Sequence, residues 1–237
     1  MKNIVIGHAL WLLMLTLAPV IIWQGRSVKK NTIRLPEAKG DGCLSAEGEL
    51  SLLHIGESTV AGVGVETLDQ GLTGKLFPAL SQAVSRSVSA RAMGSNGARI
   101  DEINSWKADL PAPDILLITM GVNDTTGFTS LAQWRRQLRE CVGHYADKNT
   151  QVFFTSVPRM QEFPALPKPL SWMLGLRAAQ LNLSLKKLCA ESNWQLIQAD
   201  LPINPEWMAA DGYHPNELGY EKWAGLIAEK VSAQYLK

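Results

Sequence analysis

The 237 residues include only three cysteines, Cys43, Cys141 and Cys189, too few to form a disulfide framework. Cys141 and Cys189 fall among apolar residues at helical spacing, which reads as two buried thiols. No histidine stands at metal-ligand spacing from a cysteine or carboxylate, so no metal site is expected, and no motif asks for a cofactor. Charge of one sign is also lacking, with a formal net of +1. That balance is uneven along the chain. Residues 1–40 hold six of the 23 Lys/Arg but one of the 22 Asp/Glu, which leaves residues 41–237 with 17 basic and 21 acidic side chains, a net of −4. A mildly acidic domain has no electrostatic footprint for nucleic acid, so none is expected as a partner. Internal repeats and low-complexity segments are absent as well. So is the Gly-x-Ser-x-Gly elbow, because Gly56-Glu57-Ser58-Thr59 is followed by Val60.

The amino-terminal region has an excess of apolar residues. Ile4 to Trp23 is a run of twenty residues without a charge. At about 1.5 Å per residue, such a helix is roughly 30 Å long, which matches a bilayer's hydrocarbon core. A cleaved signal peptide would need a shorter apolar core and a small-x-small site, and neither is found. Residues 1–25 are therefore expected to be an uncleaved transmembrane anchor, of the kind that holds a protein in a bacterial inner membrane. Residues 26–48, with Pro36, Gly40 and Gly42, read as a polar tether. Arg26, Lys29, Lys30 and Arg34 follow the span, and this bias leans the domain toward the cytoplasm.

From residue 49 the chain alternates between two kinds of pattern. Short apolar, β-prone runs are expected as strands at Leu50–Ile55, Val88–Met93, Ile115–Met120, Gln151–Val157 and Trp194–Ala199. Helical spacing occupies Gly71–Arg86, Arg99–Asp109, Ser130–Lys148, Leu170–Glu191 and Asn216 to about Tyr235. Alternating strands and helices predict a five-stranded parallel sheet covered on both faces, a three-layer α/β/α domain over residues 49–237.

Four polar clusters punctuate that pattern: Gly56-Glu57-Ser58, Asn96-Gly97, Gly121-Val122-Asn123-Asp124, and Asp211-Gly212-Tyr213-His214-Pro215. Acyl transfer needs a nucleophile, a base, a group that orients the base, and donors for the oxyanion. These clusters offer one of each. Singly, each has a plain structural use: Ser58 as a helix cap, Asn123-Asp124 as a turn, and His214 as a helix-entry residue.

Together and in this order, the clusters resemble the blocks of the SGNH (GDSL-type) hydrolase superfamily, over about residues 49–237. The most specific parts are GVND at 121–124 and DGYHPNELGY at 211–220. The resemblance implies a flavodoxin-like fold, with Ser58 as nucleophile, His214 as base and Asp211 as its partner. It likewise implies the Ser58 and Gly97 amides and Asn123 as oxyanion donors. One departure is Gly-Glu-Ser in place of Gly-Asp-Ser, and Glu57 is expected to alter local hydrogen bonding rather than to abolish chemistry. Phe163, Leu166 and Trp172, in or just after a proline-rich loop, are candidates for an acyl pocket. The function expected is a serine esterase that forms an acyl-enzyme from a small ester or thioester with a lipid-like or short acyl group. A carbohydrate O-acetyl esterase and a catalytically silent binding module are the alternatives.

Overall fold

The computed structural model describes residues 16–106, 108–198 and 203–235. Six strands form one sheet in the order β1-β3-β2-β4-β5-β6: β1 (Cys43–Ser45), β2 (Leu50–Gly56), β3 (Val88–Gly94), β4 (Ile115–Thr119), β5 (Gln151–Thr155) and β6 (Gln195–Ile197). Strands β2 to β6 pair in parallel, and β1 lies antiparallel to β3 at one edge. The sheet is thus mixed and six-stranded, not five-stranded and parallel. Ala199, placed in the last strand by the sequence pattern, lies outside the described residues.

Side chains alternate across a strand, so each central strand feeds two cores. On one face Leu52 of β2, Ile115 and Leu117 of β4 and Phe153 of β5 pack with α2 (Leu72–Val84) and α7 (Glu217–Tyr235). On the other, Leu53, Ile55, Leu116, Ile118 and Phe154 pack beneath α5 (Leu131–Tyr145) and α6 (Leu170–Ser192). Two short helices, α3 (Ile100–Ile103) and α4 (Val122–Thr126), follow β3 and β4. The helix expected over Arg99–Asp109 is thus a single turn. His54 is buried in β2, and its ring nitrogens lie 2.8 Å from Thr73 Oγ1 and 2.9 Å from Thr119 Oγ1. Cys141 and Cys189 are buried free thiols, pushed up to about 12 by desolvation.

The amino-terminal segment differs most from its sequence pattern. Helix α1 (Ala18–Asn31) includes the end of the uncharged run and continues into the expected tether. Ile21 is buried in the core beneath α6. The Gln24 side chain caps the start of α6, donating to Lys168 O and accepting from the Leu170 N–H. Farther on, Glu37 Oε1 accepts from the Asn96 N–H at 2.6 Å, and Lys39 bridges to Thr67. Residues 24–48 therefore carry a helix, an edge strand and several ties to the domain. A larger part of the expected anchor, residues 1–15, lies outside the described residues. Among the described residues no helix is long and apolar enough to cross a membrane.

Candidate active site

Four strand or loop ends converge at the carboxyl edge of the sheet, where open α/β sheets hold their sites. The last residue of β2 is a glycine, Gly56, because the chain there runs against β4: a Cβ would lie 2.1 Å from Thr119 O. A tight turn follows. The Val60 and Ala61 N–H groups donate to Glu57 O, and the Val63 N–H donates to Ser58 O. This turn presents the Ser58 side chain at the edge.

The loop ahead of α7 brings the partner. The Tyr213 and His214 N–H groups both donate to Asp211 Oδ1, at 2.9 and 3.0 Å, so the carboxylate is fixed by its own turn. Gly212, at φ 69°, permits that turn. Asp211 Oδ2 lies 2.6 Å from His214 Nδ1, and His214 Nε2 lies 2.8 Å from Ser58 Oγ. Burial alone would raise the Asp211 carboxyl. The hydrogen bonds from the His214 ring and from the His214 and Tyr213 amides outweigh it and hold the group below its ordinary value. An ionised carboxylate in that place keeps the imidazole proton on Nδ1 and leaves Nε2 free to accept from the serine hydroxyl.

Asn96-Gly97 follows β3, and Gly97 adopts φ 86° in its turn. Among the described residues, the Ser58 and Gly97 N–H groups have no acceptor. Both residues line the same cavity as His214. Asn123 is brought to that wall as well, but its amide is already engaged. Its Nδ2 donates to Glu57 Oε2 at 2.7 Å and to Ala98 O at 3.1 Å. Glu57 is the hub of this arrangement, since it also accepts from the Val122 and Asn123 N–H groups at 2.8 and 2.9 Å. Burial raises its carboxyl to about 7, the amide hydrogen bonds of Asn123, Val122 and Gly121 oppose the rise, and Asp124 adds to it. Asp124 itself ties the start of α3 to the loop after α4, through the Ile100 N–H and the Thr129 hydroxyl.

The cavity at Ser58 has a volume of about 1090 Å³. Phe163 and Leu166 line it, with Met160, Leu170 and Leu174 beside them. Trp172 does not: it is 48% exposed on the outer side of α6, with Lys168 Nζ 5.7 Å from its ring centre. Of the three residues expected at an acyl pocket, two thus line this cavity and the third does not, because α6 begins at Leu170 and turns Trp172 outward. Sequence reasoning missed α1, which with Thr32 just after it supplies a wall of this cavity through Ile21, Gly25, Val28 and Thr32. Their i, i+4, i+7, i+11 spacing was a helix-face signal inside what read as anchor and tether. Among the described residues no group of three or more His, Cys, Asp or Glu is arranged to hold a metal.

A hydroxyl, an imidazole and a carboxylate in line at the carboxyl edge of an α/β/α sheet define a serine hydrolase. The chain belongs to the GDSL-like lipase/acylhydrolase family, whose model matches residues 54–222. A GDSL-like esterase of Mycobacterium tuberculosis is 25% identical over 197 residues, 76% of this chain, and the matched chain spans only 60% of that relative's length. Solved structures with the same fold include a lipase/acylhydrolase from Enterococcus faecalis, with a TM-score of 0.61, 20% identity, and 78% of this chain and 96% of that one covered. An acetylxylan esterase from Geobacillus stearothermophilus aligns with a TM-score of 0.59 at 18% identity, over 79% and 96% of the two chains.

Proposed function

We propose that this protein hydrolyses carboxylic esters and thioesters through an acyl-enzyme on Ser58. His214 Nε2 takes the Ser58 proton as Oγ attacks the acyl carbon, and the ring returns that proton to the leaving alcohol or thiol. Water then enters, gives a proton to the same nitrogen, and releases the acid as the proton passes back to Ser58 Oγ. Asp211 stabilises the imidazolium at both stages. The Ser58 and Gly97 amides face the developing oxyanion, and Asn123 joins them by exchanging its bond to Ala98 O for one to the substrate. The observation that carries this reading is the His214 ring, set 2.8 Å from Ser58 Oγ and 2.6 Å from Asp211 Oδ2.

A fluorophosphonate probe tests it directly. The wild type is expected to be labelled at Ser58 and to hydrolyse p-nitrophenyl esters, whereas Ser58→Ala does neither. An unlabelled wild type would instead support a silent binding module. Between lipid-like acyl groups and carbohydrate O-acetyl groups, the largely apolar lining at Phe163, Leu166 and Leu170 favours the former. We also place the domain at a membrane, on its cytoplasmic side, because of the uncharged run beginning at Ile4 and the basic residues from Arg26 to Arg34. Release of the full chain from membranes by alkaline carbonate would refute that placement.

A further inference from the structure

The cavity at Ser58 is larger than the chemistry needs. Its volume of about 1090 Å³ lies at the upper end of ordinary ligand sites. An acetyl group on Ser58 would leave most of it unused. The space extends from the Ser58–His214 pair toward α1, which lies before the family-matched residues 54–222.

Helix α1 is held in place from both ends. At α6, Ile21 is buried and Gln24 bonds both Lys168 O and the Leu170 N–H. Beyond its last turn, Glu37 accepts from the Asn96 N–H, in the loop that carries Gly97. The helix thus spans from the start of α6 toward the oxyanion loop. Ala18, Ile21, Gly25 and Val28 of α1, with Thr32 just after it, line the cavity together with Leu166, Leu170 and Leu174, and Ile21 shares a core cluster with these leucines. Lys29 and, beyond the helix, Arg34 also border the cavity, but the residues nearest the centre of this wall are apolar, and there Gly25 offers no side chain at all. A Cβ built on Gly25 meets nothing within 4 Å.

We infer that α1 is the far wall of an acyl-chain site, and that the space above Gly25 admits the distal part of a long, unbranched acyl group esterified at Ser58. This rests on the esterase reading above. It adds that segment 18–37, outside the family's matched region, determines chain-length preference. The open space at Gly25 then has a use, since an Ala at that helical position would otherwise be the more stable choice.

Substituting Gly25 tests this without emptying the core. Gly25→Phe places a ring in the distal space, and Gly25→Leu occupies less of it. Lys30→Phe adds the same ring to an exposed position of α1 that does not line the cavity. The full chain is assayed with p-nitrophenyl acetate and p-nitrophenyl palmitate, and the quantity read is the palmitate-to-acetate ratio of kcat/KM. Each buried methylene contributes roughly fourfold, so displacing two or more lowers the ratio by roughly tenfold or more. Gly25→Phe is expected to show that fall, Gly25→Leu a smaller one, and Lys30→Phe the wild-type ratio. Equal ratios for Gly25→Phe and wild type, or equal falls for Gly25→Phe and Lys30→Phe, overturn the inference and leave the esterase intact. A wild type that cleaves neither ester overturns the esterase reading itself, and this inference with it.

Discussion

Asn123 shows how much a single side chain depends on its neighbours. Its amide has two hydrogens, and both are taken, by Glu57 Oε2 and by Ala98 O. The bond to a charged or partly charged carboxylate is the stronger of the two. The bond to Ala98 O is therefore the one an oxyanion displaces. A donor used only when charge develops stabilises the transition state more than the ground state. Asn123→Ala should accordingly lower kcat on the order of 100- to 1000-fold with little rise in KM. Steady-state kinetics with a p-nitrophenyl ester measure this split. A raised KM at unchanged kcat would place Asn123 in substrate binding instead. Glu57 is part of the same device. Its hydrogen-bonding role was expected from the sequence, but its partners were not, because Val122 and Asn123 lie 65 and 66 residues away.

Elements that were legible in the sequence are those whose own pattern decides their structure. Strand β4, Ile-Leu-Leu-Ile-Thr, is buried at every position and reads as a strand without help. Helix α5 has one apolar face, and Ser130 at its start accepts from the Gln133 N–H. Strand β1 was illegible for the opposite reason. Its three residues, Cys43–Ser45, sit between glycines at 42 and 48, and they are a strand only because β3 pairs with them. Helix α1 departs from the expected anchor and tether because its first six residues, Ala18–Trp23, are uncharged and such a stretch suits lipid and protein equally well. The last helix gives a test at this scale. Tyr220 of α7 is fully buried and its hydroxyl donates to Val63 O at 2.6 Å, which fastens α7 to the turn after Ser58. Tyr220→Phe removes that donor and leaves a buried carbonyl unpaired. It should cost about 1–3 kcal/mol, read by urea unfolding. The activity loss should be small beside that of Asn123→Ala, since His214 remains held by Asp211.

For the whole molecule, two buried titratable groups set opposing responses to pH. Burial lowers the His54 imidazole from 6.5 to about 3, so below 6.5 the unfolded chain takes up a proton that the folded chain refuses. Stability from this group is lost as pH falls from 6.5 toward 3. Glu57 acts in the other direction. Its carboxyl rises from 4.5 to about 7, so the folded chain keeps a proton that the unfolded chain has released, and stability is lost as pH rises through that window. Where the windows overlap, between 4.5 and 6.5, the two slopes have opposite sign and each is at most about 1.4 kcal/mol per pH unit. The wild type should therefore show little dependence from this pair across the overlap. Glu57→Gln removes one slope and exposes the other. Its stability, whatever its absolute value, should climb with pH from 4.5 to 6.5 relative to wild type. Thermal unfolding of the two proteins at matched pH values measures that difference, in which the contributions of all other groups cancel. Parallel curves would mean that Glu57 titrates in the folded protein much as it does in the unfolded chain. Its tie to Val122 and Asn123 would then stabilise the carboxylate as strongly as burial disfavours it.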